Sequence, residues 1–384
     1  MKKICICTTI SATLQSFVVT TAVYLHEQCG YDVTLICNND EKFKASLPDY
    51  IHYIPVKMAR GIDFSGFKSL FDFIKVFKRE KFDLVQYSTP NAACYASIAA
   101  KLCKVPIRLY CQWGIRYVGL SGTSRKIFKF IEKIVCKNST NIRAVSPMNL
   151  QFAISEGLYK SDKAVVIGKG GTIGVDMKNY DISQKEVWRT KIRQKYNIDN
   201  NDIVFGFAGR ISADKGCNEL FNAFKKLTSN NEKNIKLLIV GPVEDNCGVD
   251  SELINWAKQN PNIIFTGRIN NADMREYYSA MDVLVHPTYR EGFGMVLQEA
   301  GALSIAMVTT KIPGASEVME NEKSCLLVEP KSTDELETVM KKLADDTELI
   351  SKIGTAAYER TKTYFDRAIM LENQRQDYEK LLEN

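Results

Sequence analysis

Two glutamates and the glycines beside the first of them form the most chemically suggestive segment of the 384-residue sequence. Seven residues separate Glu291 from Glu299, and Gly292-Phe-Gly294 follows Glu291 directly. A buried strand is predicted just before this segment and a helix near Gly294. Glycines allow a tight turn, and the first N–H groups of a helix attract anions. Carboxylates on both sides of an anion site could hold the hydroxyl groups at both ends of a ligand with phosphates in its middle, a layout found in nucleotide sugars.

Two cations in a loop bounded by glycines form a second group. Arg210 and Lys215 lie between Gly209 and Gly216, after a predicted strand and before a helix predicted near Cys217. Both side chains could converge on one diphosphate. The loop lacks the Gly-Lys-Ser/Thr ending of a Walker loop and the glycine spacing of a dinucleotide-binding loop. Taken alone, this segment could be a solvated basic turn, and either glutamate could simply belong to a capped helix.

Together the two segments resemble the retaining glycosyltransferases of the GT-B fold, in the large bacterial family 4, also called group 1. The resemblance covers nearly the whole chain, and the first half is similar to members that elongate a lipid-linked sugar for capsule, O-antigen or exopolysaccharide. It rests on the glutamate pair, on the Arg/Lys loop, and on three further turns: Val240-Gly-Pro242, Thr266-Gly-Arg268 and Pro313-Gly-Ala-Ser-Glu317.

The resemblance implies transfer of a sugar from a nucleotide donor, most often a UDP-sugar, with retention of anomeric configuration. Arg210 and Lys215 would neutralise the leaving diphosphate, Glu299 would bind the ribose, and Glu291 would hold the donor sugar. The family generally needs no metal, and the sequence agrees in having no Asp-x-Asp motif. No other cofactor is expected, since the nucleotide sugar is a co-substrate. The other donor-binding positions implied by the family pattern are Gly209, Gly267, Arg268, Gly292, Phe293, Gly294, Met295 and Val296.

On the acceptor side the sequence departs from the family pattern. Many relatives carry a His-Gly pair after a strand of the first domain, where this sequence has Cys111-Gln-Trp-Gly114. Acceptor-side catalysis by histidine is therefore not expected. Of the three histidines, His26 and His52 are interpreted as structural, while His286 could serve the site or the fold, and scattered histidines make no metal site. The candidate acceptor contacts are Thr9, Ser11, Gln112, Trp113 and Arg116.

The elements that must position these residues alternate between strand-like apolar runs and helical patterns along the whole chain. Such alternation predicts parallel sheets covered by helices, and the length predicts two domains. We expect an α/β GT-B architecture of two Rossmann-like, doubly wound parallel-sheet domains that face a central cleft. Residues 1–175 would bind the acceptor and residues 180–365 the donor. The final helix, 366–384, is expected to pack back on the first domain.

The formal charge of +6 is divided unequally along the sequence. Residues 1–178 contain 25 basic and 13 acidic side chains, whereas residues 179–384 contain 26 and 32. A basic first half favours an anionic partner, but no nucleic-acid-binding motif accompanies it. Two basic amphipathic patterns, 67–81 and 125–137, could lie on an anionic bilayer or pack against the sheet with a solvated basic face. In the second pattern the predicted apolar stripe is Ile127, Phe128, Ile131, Ile134 and Val135.

The expected partners are a nucleotide-sugar donor, an undecaprenyl-diphosphate-linked glycan acceptor and an anionic membrane surface. Eleven cysteines without a Cys-x-x-Cys pair favour reduced thiols in a cytosolic protein. No apolar stretch is long enough for a spanning helix, which excludes an integral membrane protein. The basic first half favours a peripheral location on the inner face of the membrane. Two alternatives stay open: a nucleotide-sugar epimerase of the same architecture, and a non-catalytic module that binds a nucleotide sugar.

Overall fold

The computed structural model describes residues 1–58, 65–229, 234–244 and 247–383. The chain divides into two compact units, one comprising Met1–Ile173 with Ala368–Asn384 and the other Gly174–Arg367. Each unit is built on its own parallel sheet. The predicted fold class, two Rossmann-like parallel-sheet domains, is confirmed.

The first unit consists of a parallel sheet and the helices that connect its strands. Its described strands are β1 (Lys3–Cys7), β2 (Asp32–Cys37), β3 (His52–Pro55), β4 (Leu84–Tyr87), β5 (Ile107–Gln112), β6 (Asn141–Ala144) and β7 (Ala164–Val165). The helices are α1 (Ser11–Phe17), α2 (Val19–Cys29), α3 (Glu41–Ala45), α4 (Ser65–Glu80), α5 (Pro90–Leu102), α6 (Gly122–Asn138) and α7 (Pro147–Ser155). The strand order is β3-β2-β1-β4-β5-β6-β7, so the direction of winding reverses between β1 and β4.

The second unit repeats this plan. Its described strands are β8 (Ile203–Ala208), β9 (Ile235–Val240), β10 (Ile263–Gly267), β11 (Val283–His286), β12 (Ala306–Thr310) and β13 (Leu326–Val328). The helices are α8 (Lys185–Lys195), α9 (Cys217–Ser229), α10 (Ser251–Gln259), α11 (Met274–Ala280), α12 (Met295–Ala302), α13 (Thr333–Asp345) and α14 (Thr347–Tyr364). The strand order β10-β9-β8-β11-β12-β13 reverses between β8 and β11. Most strand residues are buried aliphatic side chains, as expected for a sheet covered on both faces.

The last helix, α15 (Arg367–Glu383), packs in the core of the first unit. Its Tyr378 and Leu382 join the apolar cluster that covers β1 and β2. The Asp377 carboxylate accepts two 2.6 Å hydrogen bonds from the guanidinium of Arg143 on β6. Because both side chains are largely buried, this bidentate pair fixes the helix on the sheet with specific geometry.

Helix α6 departs from its predicted apolar stripe. Ile127 is 43% exposed, whereas the carboxylate-bearing Glu132 is only 5% exposed. The cause is a pair of polar partners on β5, because Tyr110 and Gln112 both donate hydrogen bonds to Glu132. The buried face of α6 is therefore rotated toward Glu132, and Ile127 lies outside it.

Three further features concern the cysteines, the apolar character of the helices and the last strand of the first sheet. All eleven cysteines are free. No helix in the described ranges combines the length and apolar character needed to cross a bilayer. Strand β7 extends only over Ala164–Val165, where it pairs with β6 at the edge of the sheet.

Candidate functional site

The two loops singled out by the sequence follow neighbouring strands of the second unit. Strands β8 and β11 pair directly in parallel, and the loops leave their carboxyl ends at the point where the strand order reverses. Ligands of open parallel sheets bind at such a point. The loop after β8 carries Arg210 and Lys215, and the loop after β11 carries Glu291 and leads into α12.

Backbone contacts hold these two loops together. Gly216 has φ +72°, and a Cβ at this position would lie 2.0 Å from the carbonyl oxygen of Pro287. A side chain is thus excluded both by conformation and by the approach of the other loop. The backbone N–H of Tyr289 donates to the carbonyl of Asp214 at 2.9 Å. The predicted glycine therefore brings the cation loop against the glutamate loop.

Glu291 accepts hydrogen bonds from three donors on these two segments. Lys215 Nζ donates to Glu291 Oε2 at 2.8 Å, and His286 Nε2 lies 3.2 Å from the same oxygen. The backbone N–H of Gly292 donates to Oε1 at 3.1 Å. A carboxylate can only accept, so His286 carries its proton on Nε2. The structure thus assigns to His286, whose role the sequence left open, a position as a buried partner of Glu291.

The charges of this cluster follow from its surroundings. Burial acts to raise the pKa of Glu291, but the His286 hydrogen bond and the Lys215 charge outweigh burial and hold that pKa well below its usual range. Burial lowers the pKa of His286, and the Glu291 hydrogen bond opposes this only in part. At neutral pH the cluster therefore contains an ionised carboxylate and a neutral imidazole.

Glu299, on α12, has very different neighbours. The Tyr278 hydroxyl donates to Glu299 Oε2 at 2.8 Å, and Tyr180 donates a further hydrogen bond to the same side chain. Burial raises the pKa of Glu299, and the hydrogen bonds from the two tyrosines counteract it incompletely. Neutral donors thus hold this carboxylate, and no cation forms a salt bridge with it among the described residues.

A cleft of about 380 Å³ opens beside Glu299. That volume lies in the range of small-ligand pockets. The predicted donor-site residues that line it are Gly209, Arg210, Arg268, Met295, Val296 and Glu299. Gly241 and Pro242, from a turn that carried the resemblance, line it as well. The cleft thus brings together residues from the loops after β8, β9 and β10 and from helix α12, as a ligand at the carboxyl edge of the sheet requires.

The predicted catalytic residues Lys215 and Glu291 do not line this cleft, and neither do four of the predicted donor-binding positions. Gly267 adopts φ +71°, and its carbonyl accepts the N–H of Gly241, which closes the turn after β10. The Phe293 ring is 4% exposed and packs edge-on against Phe365, so only its backbone is placed to meet a ligand. Gly292 binds Glu291 through its N–H, and Gly294 precedes α12 with φ +45°.

The two predicted diphosphate-binding cations have separate partners in the second unit. Lys215 pairs with Glu291, whereas Arg210 pairs with Glu244 and lies 4.0 Å from Asp214. The Arg210 side chain is 48% exposed and borders the cleft. Solvated pairs of this kind are weak, so a ligand phosphate could replace Glu244 as the partner of Arg210.

Sequence reasoning did not single out several residues that shape the site. Tyr180 and Tyr278 hold Glu299, Glu244 pairs with Arg210, and Asn271 lines the cleft. Tyr180 lies in a stretch without periodicity, and Tyr278 lies on α11, between predicted motifs. No spacing relates these side chains to Glu299, so only the folded chain identifies them.

In the first unit the structure separates the five acceptor candidates. Thr9 and Arg116 line one cleft. Ser11 donates to Asp40 at 2.6 Å, and Trp113 packs against Phe17 beside an inner cavity. The Gln112 side chain is placed differently from what an acceptor contact needs.

Gln112 is 1% exposed, and both ends of its amide are occupied. Its Nε2 donates to Glu132 at 2.6 Å, and its Oε1 accepts from Tyr159 at 2.9 Å. Gln112 therefore belongs to a buried network with Glu132 and Tyr159, which corrects the prediction that its side chain contacts the acceptor. Its position at the end of β5 gave no sign of these partners.

Within the described ranges, no group of three or more His, Cys, Asp and Glu side chains is arranged to hold a metal ion. The cluster around Glu291 contains one carboxylate, one imidazole and a lysine. A lysine ammonium is not a metal ligand, and its charge would repel a cation at this position.

Two family models match the chain. Residues 189–360 match the glycosyl transferases group 1 family, and residues 3–146 match the glycosyl transferase 4-like family. The first match contains both loops of the candidate site and the whole cleft beside Glu299.

Individual relatives agree with these families. The chain is 31% identical to the capsular polysaccharide biosynthesis glycosyltransferase CapM of Staphylococcus aureus, over 89% of this chain and 88% of that protein. It is 24% identical to a UDP-Gal:alpha-D-GlcNAc-diphosphoundecaprenol alpha-1,3-galactosyltransferase of Escherichia coli, over 82% and 81% of the two chains. The solved structure of Alr3699/HepE from Anabaena, in complex with UDP and glucose, superposes with a TM-score of 0.79 at 18% identity and covers 99% of this chain and 100% of that one.

Proposed function

The chain belongs to the group 1, or family 4, glycosyltransferases of capsule and O-antigen type, and on that premise we propose a specific reaction for it. It transfers a hexosyl or N-acetylhexosaminyl group from a UDP-sugar to an undecaprenyl-diphosphate-linked glycan. The anomeric configuration of the sugar is retained. The observation that carries this proposal is the Lys215–Glu291–His286 cluster, which lies at the carboxyl edge of the sheet in the unit that also holds Glu299 and its cleft.

Glu299 and Glu291 have separate tasks in the bound donor. The Glu299 carboxylate keeps acceptor capacity beyond its two tyrosine partners and binds the ribose hydroxyls in the cleft. The Glu291 carboxylate stays ionised at neutral pH and accepts from the hydroxyls of the transferred sugar. The two residues define the two ends of the donor.

Cations stabilise the diphosphate as it leaves. Negative charge develops on the leaving diphosphate when its bond to the sugar breaks, and a fixed cation next to it lowers the barrier. Lys215 is held by Glu291 at 2.8 Å, so its ammonium is preorganised for this task. Arg210 exchanges its exposed partner Glu244 for a phosphate oxygen. We propose that no metal takes part, because these two side chains supply the positive charge.

The acceptor proposal draws on the names of relatives. One Escherichia coli relative is named for galactosyl transfer to GlcNAc-diphosphoundecaprenol, and a Campylobacter jejuni relative, 24% identical, for N-acetylgalactosaminyl transfer to a diphospho-undecaprenol-linked sugar. An acceptor of this kind is anchored in a bilayer. It therefore requires an enzyme that works at the membrane surface, on the cytoplasmic face where nucleotide sugars are present.

Peripheral membrane binding is supported by helix α4. Its Phe67 and Phe71 are 65% and 68% exposed, and Lys68 and Lys75 lie on the same helix. Exposed aromatic rings insert at a lipid interface, and each basic side chain near an anionic surface adds about 1 kcal/mol of attraction. Sedimentation with phosphatidylglycerol vesicles, but not with phosphatidylcholine vesicles, is the expected result.

A donor and acceptor panel tests the proposed reaction. The purified chain is incubated with UDP- and GDP-sugars in turn and with synthetic lipid-diphosphate mono- and disaccharides, and products are identified by mass spectrometry and by NMR of the new anomeric centre. The proposal predicts acceptor-dependent release of UDP, a retained configuration and full activity in EDTA. Release of free sugar without an acceptor would indicate an epimerase instead. Donor binding in calorimetry without any turnover would indicate a non-catalytic module.

A further inference from the structure

The first unit contains a cleft of about 380 Å³ at its own strand-order reversal. Thr9 follows β1 and Thr89 follows β4, and these strands pair directly. The remaining wall includes Asn91 on α5, Arg116 after β5 and Phe128 on α6. The carboxyl edge of neighbouring strands at such a reversal is where open parallel sheets bind ligands.

Arg116 gives this cleft a positive charge without a compensating acid. Its guanidinium lies 4.9 Å from the centre of the Phe128 ring, and no acidic side chain pairs with it among the described residues. The other described arginines of residues 1–173 have partners: Arg79 pairs with Glu80, Arg143 with Asp377, and Arg108 and Arg125 donate to backbone carbonyls. A stacked arginine with free N–H groups is well suited to a phosphate.

The two threonines add a hydroxyl donor. Their Oγ1 atoms lie 2.8 Å apart, and the Thr9 N–H donates to Thr89 Oγ1 at 3.1 Å. One hydroxyl hydrogen is used between them, whichever residue donates it. The other hydroxyl hydrogen has no acceptor among the described residues and can donate to a ligand in the cleft. No carboxylate is among the described lining residues, so an anion would meet no like charge.

Apolar side chains next to Arg116 and Phe128 are exposed. Val118, Ile127 and Phe130 are 45%, 43% and 64% exposed. Val118 belongs to the short 3-10 helix Arg116–Gly119, which packs on α6, the helix that carries Ile127 and Phe130. A cationic cleft beside exposed apolar groups matches the chemistry of a lipid diphosphate, in which an anion is joined to a hydrocarbon chain.

We propose that this cleft binds the diphosphate of the lipid-linked acceptor. Arg116 pairs with the phosphate oxygens, the Thr9–Thr89 pair donates a hydrogen bond to them, and Val118, Ile127 and Phe130 meet the isoprenoid chain or the bilayer around it. This assignment rests on the proposed function for the identity of the acceptor. Its binding chemistry can be tested without any transfer reaction.

The direct test uses farnesyl diphosphate as the probe. The full-length protein is titrated calorimetrically with UDP at saturation, so that the diphosphate site of the second unit is filled. Loss of a charge-assisted contact predicts that Arg116→Ala weakens binding about ten- to hundredfold, and that Arg116→Lys weakens it less. Lys126→Ala, which removes an exposed charge from the neighbouring helix α6 outside the cleft, should change binding less than twofold. Equal binding by wild type and Arg116→Ala, or an equal loss in Lys126→Ala, would overturn the proposal.

A transfer assay separates this proposal from the proposed function. If Arg116→Ala raises the KM for a GlcNAc-diphosphate-farnesyl acceptor and leaves the KM for the UDP-sugar unchanged, both the proposed cleft and the proposed reaction are supported. Arg116-dependent binding of farnesyl diphosphate without transfer to any lipid-diphosphate sugar supports the cleft and contradicts the reaction. Transfer with an unchanged acceptor KM in Arg116→Ala supports the reaction and contradicts the cleft.

Discussion

Glu291 and Glu299 belong to one sequence motif, but they lie in opposite electrostatic environments. Glu291 contacts a charged lysine and an imidazole N–H, and its pKa is held well below the usual range. Glu299 contacts two neutral tyrosine hydroxyls, and burial raises its pKa. The comparison shows that the charge of the nearest donors, and not burial alone, sets the behaviour of each carboxylate.

The same comparison suggests a division of labour. The anionic Glu291 also restrains a cation, and in the proposed reaction that cation neutralises the leaving diphosphate. Among the described residues no cation forms a salt bridge with Glu299, and we propose that its spare acceptor capacity serves ligand hydroxyls. Each prediction below changes one side of this comparison.

The largest effect is expected for Glu291→Gln. The substitution keeps the shape of the side chain but removes the charge that holds Lys215 and accepts from His286. We expect kcat to fall by about 10²- to 10³-fold, as when a preorganised electrostatic contact is lost. Steady-state kinetics with a UDP-sugar measure the change. Glu329→Gln, which neutralises an exposed glutamate paired with Lys311 in the same unit, should retain normal activity.

A somewhat smaller loss is expected for Lys215→Met. Without the ammonium, the leaving diphosphate loses a cation, and kcat should fall by about 10²-fold. The pKa of Glu291 should also rise toward its ordinary value of about 4.3. In wild type the lowered pKa of Glu291 stabilises the folded state at every pH above the ordinary glutamate pKa. This stabilisation is lost as the pH falls below the ordinary pKa toward the pKa of Glu291 in the folded protein. Thermal unfolding across pH 3 to 8 should therefore show a smaller acid-dependent loss in the variant than in wild type. An identical pH dependence would contradict the ion pair.

The sequence predicted the two loops and both glutamates because their residue types and their order along the chain are local properties. The strands before Arg210 and Glu291 are continuous apolar runs, and Gly216 is required by a close backbone approach. Partners from distant segments could not be predicted. Tyr278 is 21 residues away from Glu299, and Gln112 joins Glu132 across 20 residues. Such contacts depend on how helices pack on the sheet, and the spacing of residues in the sequence does not predict that packing.

Glu299→Gln should act mainly on donor binding. A neutral amide binds ribose hydroxyls less strongly than a carboxylate, so the Kd for UDP should rise about tenfold. Because burial raises the pKa of Glu299, ionising this carboxyl group costs more free energy in the folded state than in the unfolded state. Thermal unfolding at pH 7 should therefore give a Tm equal to or above that of wild type. A marked drop in Tm together with unchanged UDP affinity would assign Glu299 to the fold instead.

The smallest effect is expected for Tyr278→Phe. The change removes one of the two neutral donors to Glu299, a contact of about 1 kcal/mol, so UDP affinity should fall about fivefold. Tyr277→Phe is a matched control on the same helix, since the Tyr277 hydroxyl accepts from Lys195 and not from the site. Isothermal titration of both variants with UDP compares them. Equal effects of the two substitutions would mean that Tyr278 acts through the packing of α11.

The most direct test of the account is a comparison of UDP with UDP-glucose as ligands of Glu291→Gln and Glu299→Gln, measured by calorimetry. The account predicts that Glu299→Gln weakens both ligands by the same factor, because both contain the ribose. Glu291→Gln should weaken UDP-glucose but leave UDP unchanged or more tightly bound, because Lys215 is then released from its carboxylate partner. An equal loss for both ligands in Glu291→Gln, or a loss confined to UDP-glucose in Glu299→Gln, would contradict the division between the two glutamates.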